Sequence, residues 1–162
     1  MGTRHLQVAI AKSGEKRLSQ YGQWDGYPDG QGVEILRWLR EADLEKYNQE
    51  LEKLSELDEA AIEELKRQIK AKLKENPNYS YTNDWPWLSR DCGSAIHKMI
   101  EEGKVTTGVQ FDTGEWCEGF YTINLKERTF VGHYHGTDVA YSLDDLPTDE
   151  EFLEDFNRDN DE

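Results

Sequence analysis

The segment 21–32, YGQWDGYPDGQG, concentrates side chains that could contact a ligand. Its rings could stack on a base or another ring, and its carboxylates could accept hydrogen bonds from the same ligand. The residues concerned are Tyr21, Trp24, Asp25, Tyr27 and Asp29. The segment also holds four of the 13 glycines, which predicts unusual backbone angles or the close approach of another segment. Two interpretations follow: a binding loop, or an Ω-loop that caps a sheet with Trp24 and Tyr27 as plugs. A helix is predicted to begin directly after the segment, and free N–H groups at a helix start favour an anion.

A second concentration of aromatic side chains lies in the segment 79–88, YSYTNDWPWL. Its rings belong to Tyr79, Tyr81, Trp85 and Trp87. Exposed rings would form a partner-binding patch, with Trp85 and Trp87 supplying affinity. The alternative, which we favour, is that the rings cover the hydrophobic face of an open sheet.

Residues with metal-binding or nucleophilic side chains form no complete set. His133 and His135 are two residues apart on a predicted strand, so both point to one face and could bind zinc with further ligands. Candidates for those ligands are Asp112, Glu115, Cys117 and Glu118. Spacing specifies only the two histidines, so solvent-facing or hydrogen-bonded side chains are favoured. Cys92 follows Asp91 at a predicted helix start, where the pKa of a thiol can fall. We therefore predict no catalytic residue, no metal site and no cofactor.

The net charge restricts the kind of partner. The chain has 34 acidic and 19 basic residues, giving a formal charge of -15. Phosphates would be repelled, so direct binding to nucleic acid is not expected. A basic protein surface would be attracted. The acidic surface predicted to engage it comprises Glu50, Glu52, Glu56, Asp58, Glu59, Asp149, Glu150, Glu151, Glu154 and Asp155.

Membrane and secreted classes do not fit the sequence. No stretch approaches the roughly 20 apolar residues of a membrane span. The first 14 residues contain no apolar region long enough for a secretion signal. Two cysteines are too few for a disulfide scaffold, and we expect both to be reduced in a cytoplasm.

The elements that would position these groups begin with a hairpin. Residues 4–11 and 15–21 read as strands around a Ser13-Gly14 turn. Residues 33–41, VEILRWLRE, have the apolar spacing of an amphipathic helix. Residues 42–75 lack glycine and proline and predict either a helical hairpin with a turn at 55–58 or one long helix.

The second half of the chain predicts a short helix followed by strands. Asp91 is expected to cap a helix within 92–103. Strands are predicted at 104–111, 116–125, 128–135 and 139–143. In the acidic segment, Leu146, Phe152, Leu153 and Phe156 recur at roughly helical spacing, which predicts a short docking helix before a frayed end.

These elements predict an α+β fold, with an antiparallel sheet of five or six strands packed on short helices. We assign residues 1–143 to one domain with a helical insertion at 42–75, and residues 144–162 to an acidic C-terminal segment.

Several motifs resemble a family of small uncharacterised proteins encoded by phages and prophages. They are GTRHL at 2–6, YGQWDGYPDGQG at 21–32, VEILRWL at 33–39, RDCG at 90–93 and WCEGFYTINLKERTF at 116–130. The resemblance implies a phage origin, and hence the cytoplasm of a host bacterium. It also implies a role in host takeover or in countering host defence.

The predicted function is therefore that of a non-enzymatic phage accessory protein that binds and inhibits a host defence component. Its partner would be a host protein with a basic surface, such as a nucleic-acid-binding defence protein. One alternative is a binder that sequesters a nucleotide or signalling metabolite in the segment 21–32. A less favoured alternative is amide hydrolysis by an N-terminal nucleophile, for which Thr3 would have to be exposed by trimming beyond Met1 and Gly2.

Overall fold

The predicted N-terminal hairpin is confirmed. In the computed structural model, which describes residues 2–157, strand β1 (His5–Ile10) pairs antiparallel with strand β2 (Lys16–Gly22). Gly14 lies in the left-handed region at φ +92°, and its N–H donates to the carbonyl of Ala11 over 2.8 Å. Because glycine adopts this conformation without steric cost, the Ser13-Gly14 pair encodes the turn.

Three further strands complete a five-stranded sheet of order β2-β1-β3-β4-β5. They are β3 (Gly119–Asn124), β4 (Thr129–Tyr134) and β5 (Thr137–Ser142). The α+β class is confirmed, but the sheet is mixed rather than wholly antiparallel. Strands β1 and β3 run parallel, with His5 opposite Gly119, and the other three pairings are antiparallel. The long connection that a parallel pair requires contains β2 and four of the helices.

The strand predicted at 104–111 is wrong. Val109 bridges Glu56 and Phe111 bridges Ser19, each as an isolated contact. The segment therefore passes from one neighbour to another and forms a continuous ladder with neither. It still lies along the outer side of β2.

Five α-helices occur among residues 2–157. They are α1 (Val33–Glu41), α2 (Leu44–Leu51), α3 (Glu59–Glu75), α4 (Ala95–Glu101) and α5 (Asp149–Asn157). Single helical turns occur at Pro28–Gly32, Tyr81–Asn83 and Pro86–Leu88. None of the described helices is long and apolar enough to cross a membrane.

The block 42–75 forms two helices, not one, and the break falls where the sequence predicted a turn. Asp58 caps α3, since its carboxylate accepts from the N–H of Ala61 over 2.7 Å. The linker does not turn tightly. Leu57 instead donates to the carbonyl of Val109 over 2.9 Å.

The helix expected to start at Asp91 begins later, at Ala95, so the prediction of Asp91 as its cap is wrong. Gly93 lies at φ +59°, a left-handed conformation that interrupts helical geometry between Cys92 and Ser94. Ser94 occupies the capping position.

The core lies on one face of the sheet. Sheet residues at its centre are Ala9, Leu18, Tyr121, Ile123 and Phe130, each at most 1% exposed. Helix residues against them include Ile35, Leu36, Ile96, Ile100, Phe152 and Phe156. The acidic segment therefore contributes a docked helix, α5, as its apolar spacing predicted. The frayed end predicted beyond it lies outside the described residues.

Candidate functional site

Three connections meet at one end of the sheet, which we call the loop end. His5 lies opposite both Gly22 and Gly119, and Tyr134 lies opposite both Gly119 and Thr137. These pairings bring together the connections 23–32, 112–118 and 135–136. The segment 21–32 thus shares its end of the sheet with two connections that are remote in sequence.

Positive backbone φ angles concentrate at the loop end. Among the described residues, four non-glycines have a positive φ, and three of them lie here: Asp25 at 60°, Trp116 at 73° and His135 at 47°. The fourth is Arg128, in the β3–β4 turn. Residues held in sparsely populated conformations cost about 1–3 kcal/mol each and cluster at binding sites.

Trp116 is the most exposed large hydrophobic side chain among the described residues, at 73%. A bulky residue at positive φ is a genuine outlier. Here it combines with exposure, so core packing does not explain the conformation. The strand predicted at 116–125 contained Trp116, so its exposure was not predicted. The only signal was the preceding Gly114, which lies at φ +78° and closes a turn with Cys117 over 3.0 Å.

Carboxylates lie close to Cys117, the residue that follows Trp116. Burial, followed by the charge of Asp112, raises the pKa of the neighbouring Cys117 to about 11, and Glu118 adds to the rise. Arg4 opposes it and lies 3.6 Å from the Glu118 carboxylate.

The glycines of the segment 21–32 serve close packing. A Cβ on Gly22 would lie 2.1 Å from Nε2 of His5, and one on Gly26 would lie 2.8 Å from the carbonyl oxygen of Thr3. Gly26 also donates to that oxygen over 2.9 Å. The backbone thus caps the sheet, as one interpretation proposed. Trp24 and Tyr27 are not plugs, however, because they remain 46% and 36% exposed.

The five ligand-contacting candidates of this segment do not converge on one point. Tyr21 donates to Gln23 over 2.5 Å and borders a small cavity of about 120 Å³. Trp24 donates through Nε1 to Asp91 over 2.6 Å, and Tyr27 donates to Asp25 over 2.9 Å. Only Tyr27 and Asp29 line a larger cavity.

That larger cavity is an open groove of about 490 Å³ at the loop end. We call it the β4–α5 groove. Its walls are Tyr27, Pro28 and Asp29; Tyr134, His135 and Thr137; and Leu153, Phe156 and Asn157. The ring centroids of Tyr134 and His135 are 4.2 Å apart in an edge-to-face arrangement.

The groove is negative in character. The hydrogen bond to Asp25 raises the pKa of Tyr27. Burial, followed by the charges of Glu118 and Asp29, raises the pKa of Tyr134. Both phenols therefore stay uncharged at neutral pH. Aromatic rings beside carboxylates suit a cation such as a guanidinium or ammonium group.

The anion site expected at the start of α1 is not formed. The N–H of Val33 donates to carbonyl oxygens of the preceding turn, at Gly30 and Pro28. Gly30 donates to Tyr27 over 3.0 Å, and Gln31 donates to Asp25 over 2.8 Å. The donors that would face an anion are engaged within the chain.

Trp85 and Trp87 lie in the core, as the favoured alternative predicted, at 8% and 5% exposure. Trp87 donates through Nε1 to Thr107 over 2.8 Å. Nζ of Lys72 lies 5.2 Å from the centroid of the Trp85 ring. Neither tryptophan presents its face as an exposed patch.

Many of the predicted acidic surface residues have partners within the chain. Asp149 accepts from Arg37 over 2.9 Å and pairs with Arg40 over 2.7 Å. Tyr141 donates to Asp155 over 2.6 Å, and Asp58 caps α3. Glu50 pairs with Lys53, and Glu151 forms a reciprocal capping pair with Thr148. Those that are exposed are Glu52, Glu56, Asp58, Glu59, Glu150, Glu151 and Glu154.

The exposed acids do not form one surface. Glu56 is attached through Val109 and Phe111 to the β2 margin, whereas α5 packs on β5. The two margins are four strand spacings apart, or about 19 Å. Charge from the two segments would reach a partner from opposite sides of the sheet.

The remaining candidates do not assemble a catalytic or metal site. Among the described residues, no three His, Cys, Asp or Glu side chains are grouped to hold a metal ion. His133 contacts Asp138 on the neighbouring strand. Burial raises the pKa of Cys92 to about 11, so this thiol lacks the lowered pKa that a helix start can give. Gly26 holds Thr3 in place through the Thr3 carbonyl oxygen.

A buried polar chain that the sequence analysis missed links the sheet to the helices. The hydroxyl oxygen of Tyr47 lies 2.8 Å from Nδ1 of His97. Nε2 of the same histidine lies 2.8 Å from Oε1 of Gln7. The amide nitrogen of Gln7 lies 3.2 Å from Nδ1 of His5. Because an amide nitrogen only donates, this order makes every donor point one way and leaves both histidines neutral. The last donor, Nε2 of His5, is buried without a partner among the described residues.

Burial keeps both histidines uncharged. It lowers the pKa of His5 to about 4, against a small opposing effect of Asp25. It lowers the pKa of His97 to about 3, and His5 adds to the effect. Isolated single histidines give no sequence pattern from which such a chain could be predicted.

Comparisons with known proteins add no functional information to this geometry. No family model matches the chain, and no curated protein or solved structure matches it.

Proposed function

We propose that the protein is a non-enzymatic phage accessory protein that binds and inhibits a host defence component by engaging a basic site on it. The observation that carries the proposal is the loop end. Exposed rings lie there, Tyr27 is bonded to the Asp25 carboxylate, and Trp116 is held at φ 73°. Large rings at the centre of an interface supply most of its affinity, and Trp116 is the best such anchor on the described surface.

The net charge of -15 supports a basic partner. Exposed carboxylates on the two sheet margins, such as Glu56 and Glu154, would mainly raise the association rate and select for positive surfaces. Glu56 lies on the β2 margin through its bridge to Val109, whereas Glu154 follows Leu153 of the groove wall. The margins attract the partner and the loop end holds it.

A second candidate function is the sequestering of a small molecule. The β4–α5 groove, at about 490 Å³, falls within the range of ligand pockets. Its negative lining opposes a phosphate-bearing nucleotide and favours a cationic or uncharged aromatic metabolite.

Native mass spectrometry of tagged protein from host cells tests the proposal. We expect a basic host protein to co-purify with the wild type and to be lost in Trp116→Ala. The control is Tyr81→Ala, because Tyr81 is also an exposed ring, at 39%, but lies in the turn Tyr81–Asn83, outside the three connections of the loop end. An added mass of a few hundred daltons in place of a protein would establish the second candidate instead. Equal capture by Trp116→Ala and the wild type would contradict the assignment of the loop end.

A further inference from the structure

We infer that the β4–α5 groove receives one arginine side chain of the basic partner, held between Tyr27 and Tyr134 and neutralised by Asp29. This inference rests on the proposed function and specifies its central contact. It concerns a peptide-borne cation, not a free metabolite or a second copy of this chain.

The walls of the groove are held in place by contacts within the chain. The hydroxyl of Tyr27 is bonded to Asp25, and its ring packs on Gly30, where a Cβ would lie 2.8 Å from Cε2. The opposite wall is the two-residue turn between β4 and β5. His135 at φ 47° and Gly136 at φ 83° give this turn the type I′ geometry that suits a tight hairpin.

The third wall is anchored equally well. Helix α5 buries Phe156 at 4% exposure, and Asp149 at its start is bound to Arg37 and Arg40. A ligand therefore has few walls to order on binding. Preorganisation of this kind lowers the entropic cost of association.

The carboxylates in and around the groove give it a negative charge. Asp29 lines the groove, and the carboxylates of Asp25 and Glu118 lie close enough to affect its tyrosines. Glu150 precedes Leu153 by one helical turn, so it lies on the same side of α5 as the groove wall. The basic group among the lining residues is His135. A cation is attracted here, and an anion is repelled.

The aromatic walls and the single carboxylate among the described groove residues favour a guanidinium over an ammonium group. A guanidinium is flat, is weakly hydrated, stacks on aromatic faces and donates two parallel hydrogen bonds to one carboxylate. An ammonium group lacks the flat shape. A second copy of the chain, at -15, would be repelled by the same charge that attracts a basic protein.

A titration followed by NMR tests the inference on the full-length protein. The probes are N-acetyl-arginine amide, its lysine counterpart and the uncharged citrulline counterpart. We expect saturable shifts at residues 27–31 and 134–136 with the arginine probe. We expect binding of the citrulline probe to be about fivefold or more weaker. Equal binding of citrulline would overturn the inference.

Asp29→Asn removes the charge of an exposed side chain and leaves its size unchanged. It should weaken the arginine probe by about fivefold. The matched control is Glu127→Gln, an exposed acid in the turn at the other end of the sheet, which should change binding less than twofold. If both variants weakened binding of the arginine probe equally, the probe would be responding to the overall charge of the protein. That result would contradict the assigned site.

Two further outcomes separate this inference from the function on which it rests. Capture of the host partner by Asp29→Asn as efficiently as by the wild type would refute the groove contact and leave the proposed function standing. Tighter binding of spermidine than of the arginine probe, with no protein captured from host cells, would refute both in favour of a sequestered metabolite. Concentration-dependent dimers that Asp29→Asn disrupts would place a second copy in the groove and also refute the inference.

Discussion

The buried chain from Tyr47 to His5 predicts that the protein loses stability steeply on mild acidification. The pKa of His5 is lowered to about 4 and that of His97 to about 3, both chiefly by burial. In the unfolded chain both histidines titrate near the usual 6.5. Below that pH both histidines bind a proton in the unfolded state but stay neutral in the folded state. Stability is therefore full above pH 6.5 and falls as the pH drops toward 4.

The magnitude follows from the two shifts. Each proton bound only by the unfolded state costs about 1.4 kcal/mol per pH unit. Two histidines together give about 2–3 kcal/mol per unit between pH 6 and 5, and roughly 5 kcal/mol from pH 7.5 to 4.5. Domains of this kind are stable by about 5–15 kcal/mol, so a large fraction of the total is at stake.

Urea unfolding followed by tryptophan fluorescence at pH 7.5, 6.5, 5.5 and 5.0 measures this dependence. His97→Gln keeps a donor toward Gln7 and removes one titrating ring, so its slope should fall to about 1.4 kcal/mol per unit. The variant will be less stable at every pH, but the slope, not the intercept, carries the prediction. Ile100→Val is the control, because it lowers stability without removing a titrating ring and should keep the wild-type slope. A wild-type stability that stays flat from pH 6.5 to 5 would refute the reasoning.

Three further predictions concern packing and strain. Trp116→Gly should stabilise the fold by about 1 kcal/mol, because glycine adopts φ 73° freely, while it abolishes partner capture; a loss of stability in urea titrations would show that the indole packs. Gly22→Ala should destabilise by about 2 kcal/mol or more, because its Cβ would meet His5 at 2.1 Å; an unchanged melting curve would contradict this. Phe152→Ala should cost about 3–5 kcal/mol and expose α5 to hydrogen exchange, whereas protection equal to the wild type would contradict the docking of that helix.

Local chemistry made much of the fold predictable. The turn at Gly14, the helix at 33–41 and the break before Asp58 each depend on residues that are adjacent in sequence. The errors arose where distant segments decide the outcome. Residues 104–111 have strand-like composition, yet they divide their bridges between Glu56 and Ser19. Asp91 has a capping side chain, yet Gly93 turns the chain before the helix begins.

The candidate site was only partly predictable for the same reason. Tyr27 and Asp29 could be identified because rings and carboxylates are concentrated in one segment. Tyr134 and His135 line the same groove because the β4–β5 turn lies next to the segment 27–29. The spacing of apolar residues along the sequence does not show that these two segments are neighbours. Trp116 was hidden because its exposure follows from a backbone conformation that a tryptophan rarely adopts.

The parallel pairing of β1 with β3 explains why these residues meet. In a sheet made only of consecutive hairpins, β3 would pair with β2 and a short connection would join the two strands. Here β3 returns alongside β1, so the connection 112–118 arrives beside Arg4, whose carbonyl accepts from Glu118 over 2.9 Å. The same arrangement places Gly119 against Gly26, where a Cβ would lie 2.3 Å from the Gly26 oxygen. Gly119 is therefore required by the crossover, whereas Gly22 and Gly26 are required by their close approach to residues 3–5. The ligand-facing groups are the side chains that this close packing leaves outside.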